Sequence, residues 1–319
     1  MPVLKLATSA ADRLQLMWVS RDGAARPVEP GWTFDPSPQG RNRSWFLSPD
    51  GTRIAVKILT DLGSDIWIKQ LPNGPLSRFT FFDGEDRQAR FSPDGSTLTW
   101  ISSRGGNLDI WSQPADGTGE PELLLDSDAD LTEAVWSPDM TWLVLRTAGT
   151  AAQAGGRDIQ GFRPGKDTIP LPLVATEYDE GGPAISHDGR WLAYHSDETG
   201  RREVFVRPFP DVNRGKWQVS SGGGRAPLWA HNGREIFYLT DNNEVMVAEV
   251  DPGPPFAVGA RRMLFDAGAD YYFMNNSSSW DITRDDATFL MARTVGSSDP
   301  RSVVLVNNFF EELKRRVPN

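Results

Sequence analysis

Six copies of one short turn punctuate this chain and constrain its architecture more than any other feature. They are Leu47-Ser48-Pro49-Asp50-Gly51, Phe91-Ser92-Pro93-Asp94-Gly95, Trp136-Ser137-Pro138-Asp139-Met140, Ile185-Ser186-His187-Asp188-Gly189, Trp229-Ala230-His231-Asn232-Gly233 and Ile282-Thr283-Arg284-Asp285-Asp286. Proline presets φ at the first corner, Asp or Asn bonds back to nearby backbone, and Gly takes the positive φ that completes a reversal. Two copies depart at the last position. Aspartate visits positive φ readily, whereas Met140 there would be strained. Each copy leads into an apolar run such as Ile54-Ala55-Val56 or Trp191-Leu192-Ala193-Tyr194, so each reads as a hairpin between two strands.

The third turn position falls at 50, 94, 139, 188, 232 and 285, giving intervals of 44, 45, 49, 44 and 53. A second landmark follows each turn in Asp65-Ile66-Trp67, Asp109-Ile110-Trp111, Asp158-Ile159-Gln160, Glu203-Val204-Phe205 and Glu244-Val245-Met246, which read as third strands. Leu76-Ser77-Arg78 and Lys216-Trp217-Gln218-Val219 read as short fourth strands. A four-stranded unit repeating every 40–50 residues or so is a propeller blade. The expected fold is all-β, a six-bladed β-propeller forming a single domain over residues 1–319. Leu14–Val19 reads as an outer strand without an inner half, and Trp280–Thr283, Thr288–Met291 and Val303–Val306 read as inner strands. The two ends are therefore expected to share one blade, closing the ring and removing exposed sheet edges. The tail Phe309–Arg316 reads as a short amphipathic helix capping the outside.

Charge narrows the partners. Lys plus Arg number 33 and Asp plus Glu 43, a net charge of −10. Such a surface repels phosphate, which argues against nucleic acid and against anionic lipid. With no cysteine in the chain, disulfides, thiolate metal sites and cysteine nucleophiles are excluded. No apolar run is long enough to span a membrane. The expected location is cytoplasmic if Met1 is the natural start, and extracytoplasmic if the chain is cut from a membrane-anchored protein.

The six turns in register resemble TolB-like propeller repeats, which are sometimes described by their Pro-Asp turn. The blade text Trp191-Leu192-Ala193-Tyr194 through Arg207-Pro208-Phe209-Pro210, and the end Val303-Val304-Leu305 with Phe310-Glu311-Glu312-Leu313-Lys314, are similar to the propellers that follow the kinase and membrane span in bacterial receptor-type serine/threonine kinases. The resemblance implies a six-bladed propeller that binds proteins, peptides or small ligands. It does not imply kinase activity, because the Gly-rich loop, the His-Arg-Asp loop and the Asp-Phe-Gly triplet are missing.

The search for chemistry yields no catalytic residue and no cofactor. There is no Gly-x-Ser-x-Gly elbow of the kind found in propeller-bearing prolyl-oligopeptidase-type enzymes. His187 and His231 sit in turns of different blades and His195 follows a strand, so the three are not expected to converge on a metal. The acidic run Asp126-Ser127-Asp128-Ala129-Asp130 lacks the spacing of a calcium loop. Five residues before the Ser, Ala or Thr of each turn stand Arg43, Arg87, Thr132, Gly181, Arg225 and Ser278, and one step on stands Glu133. These are expected to ring a channel mouth where Arg43, Arg87 and Arg225 attract a carboxylate or acidic peptide, or else pair with Asp86, Glu133 or Glu180 and tie blades together. Tyr271-Tyr272-Phe273-Met274, in the longest interval, is a second candidate contact patch, since aromatics and Met are enriched at interfaces. Trp32 and Trp45 are further exposed candidates. The leading expectation is a non-catalytic scaffold, not an enzyme, that binds a protein or peptide as an accessory subunit of a larger membrane-associated complex. A ligand sensor of the receptor-kinase type, and a lyase or hydrolase using the channel mouth, remain open.

Overall fold

A computed structural model describes residues 3–5, 13–34, 44–149, 156–273, 279–296 and 304–306. Among them, each turn reverses an innermost strand into the next strand outward. Blade one is Trp45–Leu47, Arg53–Thr60, Gly63–Gln70 and Leu76–Arg78, hydrogen-bonded in that order as an antiparallel sheet. Blades two to five repeat this plan. Their inner strands are Asp86–Phe91, Leu131–Trp136, Gly181–Ile185 and Arg225–Trp229.

The turn chemistry explains the regularity. Ser48 Oγ donates to Asp50 Oδ1 at 2.5 Å and accepts from the Arg53 N–H at 2.9 Å, while Asp50 Oδ1 accepts from the Thr52 N–H at 3.0 Å. The same bonds recur at Ser92/Asp94, Ser137/Asp139, Ser186/Asp188 and Thr283/Asp285. The Ser48 hydroxyl and the Thr52 N–H hold the Asp50 carboxyl down to about 2. Met140 and Asp286 take the positive φ expected of them, at 58° and 57°. Blade five has Ala230 where the others have a hydroxyl. There Asp286 of blade six accepts the N–H groups of His231 at 2.7 Å and Asn232 at 3.1 Å, so a neighbouring blade braces a turn that has lost its own hydroxyl.

Blade six closes the ring with both ends of the chain. Arg13–Ser20 pairs with Thr288–Val295 along eight residues, and Ala25–Pro27 forms the outer edge. Arg21, just beyond that strand, forks onto Glu235 of blade five at 2.6 and 2.8 Å. The inner edge of Thr288–Val295 is shared by Tyr271–Tyr272 and Asp281–Ile282. That occupancy corrects one expectation. Val304–Val306 is not an inner strand, since the blade is already filled, and it pairs instead with Val3–Lys5 in a separate two-stranded sheet. The tail expected to be helical, 309–316, lies outside the described residues.

Six apolar clusters hold the blades together, one at each interface between neighbours. Trp280 stacks on Phe289 with ring centroids 5.4 Å apart between blades five and six, and Trp191, Trp229 and Phe256 meet between four and five. Trp45, nominated as exposed, is fully buried at the blade six–blade one seam, where the Tyr272 ring approaches it edge-on at 6.4 Å. Its position at the start of an inner strand, turned between two blades, leaves it no route to solvent.

Candidate functional site

The inner strands have two ends, and the chemistry differs between them. At the starting end stands the ring that counting from the turns nominated. Arg43, Met274 and Ser278 lie outside the described residues. Arg87 is buried, with Nη2 donating to Leu131 O of blade three at 3.0 Å and Nη1 3.3 Å from Glu85. Glu133 is buried and accepts the Gly182 N–H of blade four at 3.1 Å, with Arg146 3.6 Å away. Arg225 donates to Asn243 Oδ1 at 2.6 Å and lies 6.0 Å over the Phe273 ring, and burial lowers its guanidinium to about 10. Glu180 is buried, accepts the Thr176 hydroxyl, and is pushed up to about 7 by desolvation. His195 is fully enclosed here. A Cβ on Gly181 would come within 2.8 Å of its Nε2, so only glycine fits. This end is a packed polar seam running from blade to blade.

The Tyr271 patch is likewise part of the framework. Tyr271 and Tyr272 pair with Arg293 and Ala292, and both are half-buried. Tyr271 and Phe273 pack against the cluster between blades five and six.

A cavity of about 600 Å³ opens at the other end, on the axis and among the turns. Two tiers line it. The deeper tier is the residue two places before each turn's Ser, Ala or Thr: Phe46, Arg90, Val135, Ala184, Leu228 and Asp281. The outer tier is the turn's second residue: Pro49, Pro93, Pro138, His187, His231 and Arg284. Blades one to three contribute proline there, and blades four to six contribute side chains able to bond or carry charge. Trp136 and Trp229 form part of the wall.

Turns in different blades converge on the axis, and two of the three histidines meet there although they belong to different blades. The His187 and His231 rings stack, with centroids 4.1 Å apart and planes within 15°. His231 Nδ1 lies 2.9 Å from Asp286 Oδ1. Burial, and then the adjacent His231, lower His187 to about 4, which keeps it neutral at physiological pH. His195 remains at the far end. Among the described residues no three His, Asp or Glu side chains group as a metal site.

Below them, a bulge between Arg87 and Arg90 resets the alternation of the blade-two inner strand. Arg90 lies with its guanidinium carbon 3.6 Å from the Phe46 ring centroid. Desolvation lowers its pKa, opposed by Asp281 and Glu133. Asp281 accepts the Leu47 N–H at 2.9 Å and the Ile282 N–H at 2.9 Å, and burial raises its carboxyl. Counting two places back from each turn, instead of five, would have found this tier in the sequence. The Pro-Pro-Pro-His-His-Arg series at the turn tips was also legible.

No family model matches the chain. It is 28% identical over 190 residues to the uncharacterized peptidase YuxL of Bacillus subtilis, covering 48% of this chain and 29% of that protein. It is 24% identical over 217 residues to dipeptidyl aminopeptidase BIII of Pseudoxanthomonas mexicana, covering 65% of this chain and 27% of the relative. The chain thus spans under a third of the length of the curated relatives it matches. In structure it superposes on a protein solved as TolB from Agrobacterium tumefaciens with a TM-score of 0.64 and 19% identity, covering 90% of this chain and all of that one. The fold is a TolB-like six-bladed propeller.

Both sequence relatives are named as peptidases, and neither as a kinase. They overturn the expectation of a non-catalytic scaffold that is not an enzyme. The missing nucleophile elbow misled because it was sought in a stretch that aligns with only part of each peptidase.

Proposed function

We propose that this propeller serves peptidase-type hydrolysis by taking peptides into the turn-face mouth of its channel. The observation that carries the reading is the alignment of its blades with proteins named as peptidases. The cavity suits the task. Its volume of about 600 Å³ lies in the range of sites that enclose a small ligand or a few residues of an extended chain. Trp136, Trp229, Phe91 and the three prolines offer apolar wall for side chains, and the polar groups cluster toward one sector of the rim. His187, held neutral, and His231, whose Nδ1 lies 2.9 Å from Asp286, present imidazole rings at the rim for hydrogen bonds to a bound peptide.

The test is photo-crosslinking with a benzoylphenylalanine-bearing peptide, followed by mass spectrometry of both adducts and peptide products. Adducts on the rims of blades four to six, suppressed by excess unlabelled peptide, are the expected result. Cleaved peptide in the same sample would assign hydrolysis to groups of this chain. Adducts that peptide does not displace, or that map to the outer strands, would overturn the reading.

A further inference from the structure

Arg90 is unusual among the arginines of this protein. It projects into the cavity from an inner strand, and it makes no hydrogen bond and no ion pair among the described residues. Its contact is the face of Phe46, which leaves all five N–H donors of the guanidinium without a protein acceptor. The acids nearest in electrostatic reach are committed elsewhere. Asp281 is held by two backbone N–H groups, and Glu133 by the Gly182 N–H and Arg146. Among the described residues, the other charged side chains lining the cavity are Asp281 itself and Arg284, which also makes no hydrogen bond or ion pair there. His187 adds no charge at neutral pH. Among the described residues the cavity therefore carries two arginines against one aspartate, in a chain whose net charge is −10. A half-buried cation fixed on an aromatic face, with its planar fork open, is a carboxylate receptor by geometry and by charge.

Resting on the peptide reading above, we propose that Arg90 anchors a carboxylate of the bound peptide, gripped in bidentate fashion at the floor of the cavity, with Arg284 drawing it in at the rim. The depth of Arg90 favours entry of a chain end over a flat lateral contact. The same chemistry is offered by a C-terminal α-carboxylate and by an Asp or Glu side chain, and the probes separate these.

The probes are acetylated pentaalanine as the free acid, the same peptide as its C-terminal amide, and that amide with glutamate at the fourth position. Binding is read by calorimetry and by tryptophan fluorescence, with Trp136→Phe and Trp229→Phe marking the share that comes from the cavity wall. The free acid is expected to bind about 10- to 100-fold more tightly than the amide, the range for a hydrogen bond to a charged group. Recovery of affinity by the glutamate amide identifies a side-chain source, and its failure to recover identifies the chain end. Arg90→Gln is expected to erase the acid–amide difference, and Arg90→Lys to keep only part of it. Because Arg90→Gln removes packing on Phe46, melting curves accompany it. Arg284→Gln, on an exposed turn, provides a second reading, with a smaller loss confined to the acid. Equal binding of acid and amide, with Arg284→Gln matching the wild type, sinks the carboxylate anchor while leaving the peptide reading intact. If no peptide binds but acetate or succinate quenches the wall tryptophans and Arg90→Gln abolishes that, the anchor stands and the peptide reading falls.

Discussion

Glu180 shows how a single buried group sets the response of this protein to pH. Its carboxyl is enclosed, and its Oε2 finds no hydrogen-bond partner. Desolvation therefore raises it to about 7 in the folded protein, against about 4.5 when unfolded. Between those values the folded state holds a proton that the unfolded state has released. Its contribution to stability is present below pH 4.5 and is lost as pH rises through 7. Glu180→Gln keeps the shape and removes the titration. It should match the wild type near pH 4.5 and be more stable at pH 8 by up to about 2–3 kcal/mol, following the size of the shift. Chemical denaturation at the two pH values checks this, and an equal difference at both would refute it. His187 works in the opposite direction. Its folded value near 4 lies below the unfolded value of 6.5, so stability falls as pH drops from 6.5 towards 4. His187→Asn should flatten that limb of the stability–pH curve without altering the Glu180 limb.

At the scale of the turn, the six copies form a natural substitution series. Five share the hydroxyl-to-carboxylate bond and the paired N–H contacts, and the fourth residue is at positive φ in all six. Met140 sits at φ 58° and is exposed, at 37% of the residue's full accessible area, so it gains little from burial there. A non-glycine residue in that region costs about 1–2 kcal/mol. Met140→Gly should therefore stabilise the protein by roughly 1 kcal/mol, net of the extra freedom glycine gives the unfolded chain, and raise the denaturant midpoint at unchanged slope. Asp286 occupies the equivalent place in blade six and should behave oppositely. Its carboxylate holds the backbone of the blade-five turn and orients His231. Asp286→Gly should relieve strain yet lower stability, because two half-buried N–H groups lose their acceptor.

For the whole molecule, the strand at Arg13–Ser20 is the closure. It covers eight residues of Thr288–Val295 and carries Leu14, Leu16, Met17 and Val19 into the clusters on both sides of blade six. Deleting residues 1–27 would expose one whole edge of Thr288–Val295 and strip Met17 and Val19 from one of its two interfaces and Leu14 and Leu16 from the other. An unpaired edge of that length templates association. The truncated chain is expected to elute as oligomers or aggregate, with loss of a single cooperative melt. A monomeric truncation melting near the wild-type temperature would show that closure is dispensable.

The fold was readable because a propeller is built from a short-range signal repeated at a fixed period. Pro49-Asp50-Gly51 and its five relatives specify a hairpin from local backbone chemistry alone, and their spacing specifies four strands per unit. The shared sixth blade followed from the complementary halves at Leu14–Val19 and Thr288–Met291. The sequence could not indicate which end of the inner strands stays open. Among the described residues the starting end is bridged by contacts that cross from blade to blade, such as Arg87 to Leu131 and Glu133 to Gly182, and those partners lie more than forty residues apart. The turn end stays open because prolines on one side and a stacked histidine pair on the other stand around the axis without filling it. The meeting of His187 with His231, and the bare guanidinium of Arg90 on Phe46, exist only once the ring has closed. Local chemistry along the chain set the blades, and closure around the axis decided what the blades enclose.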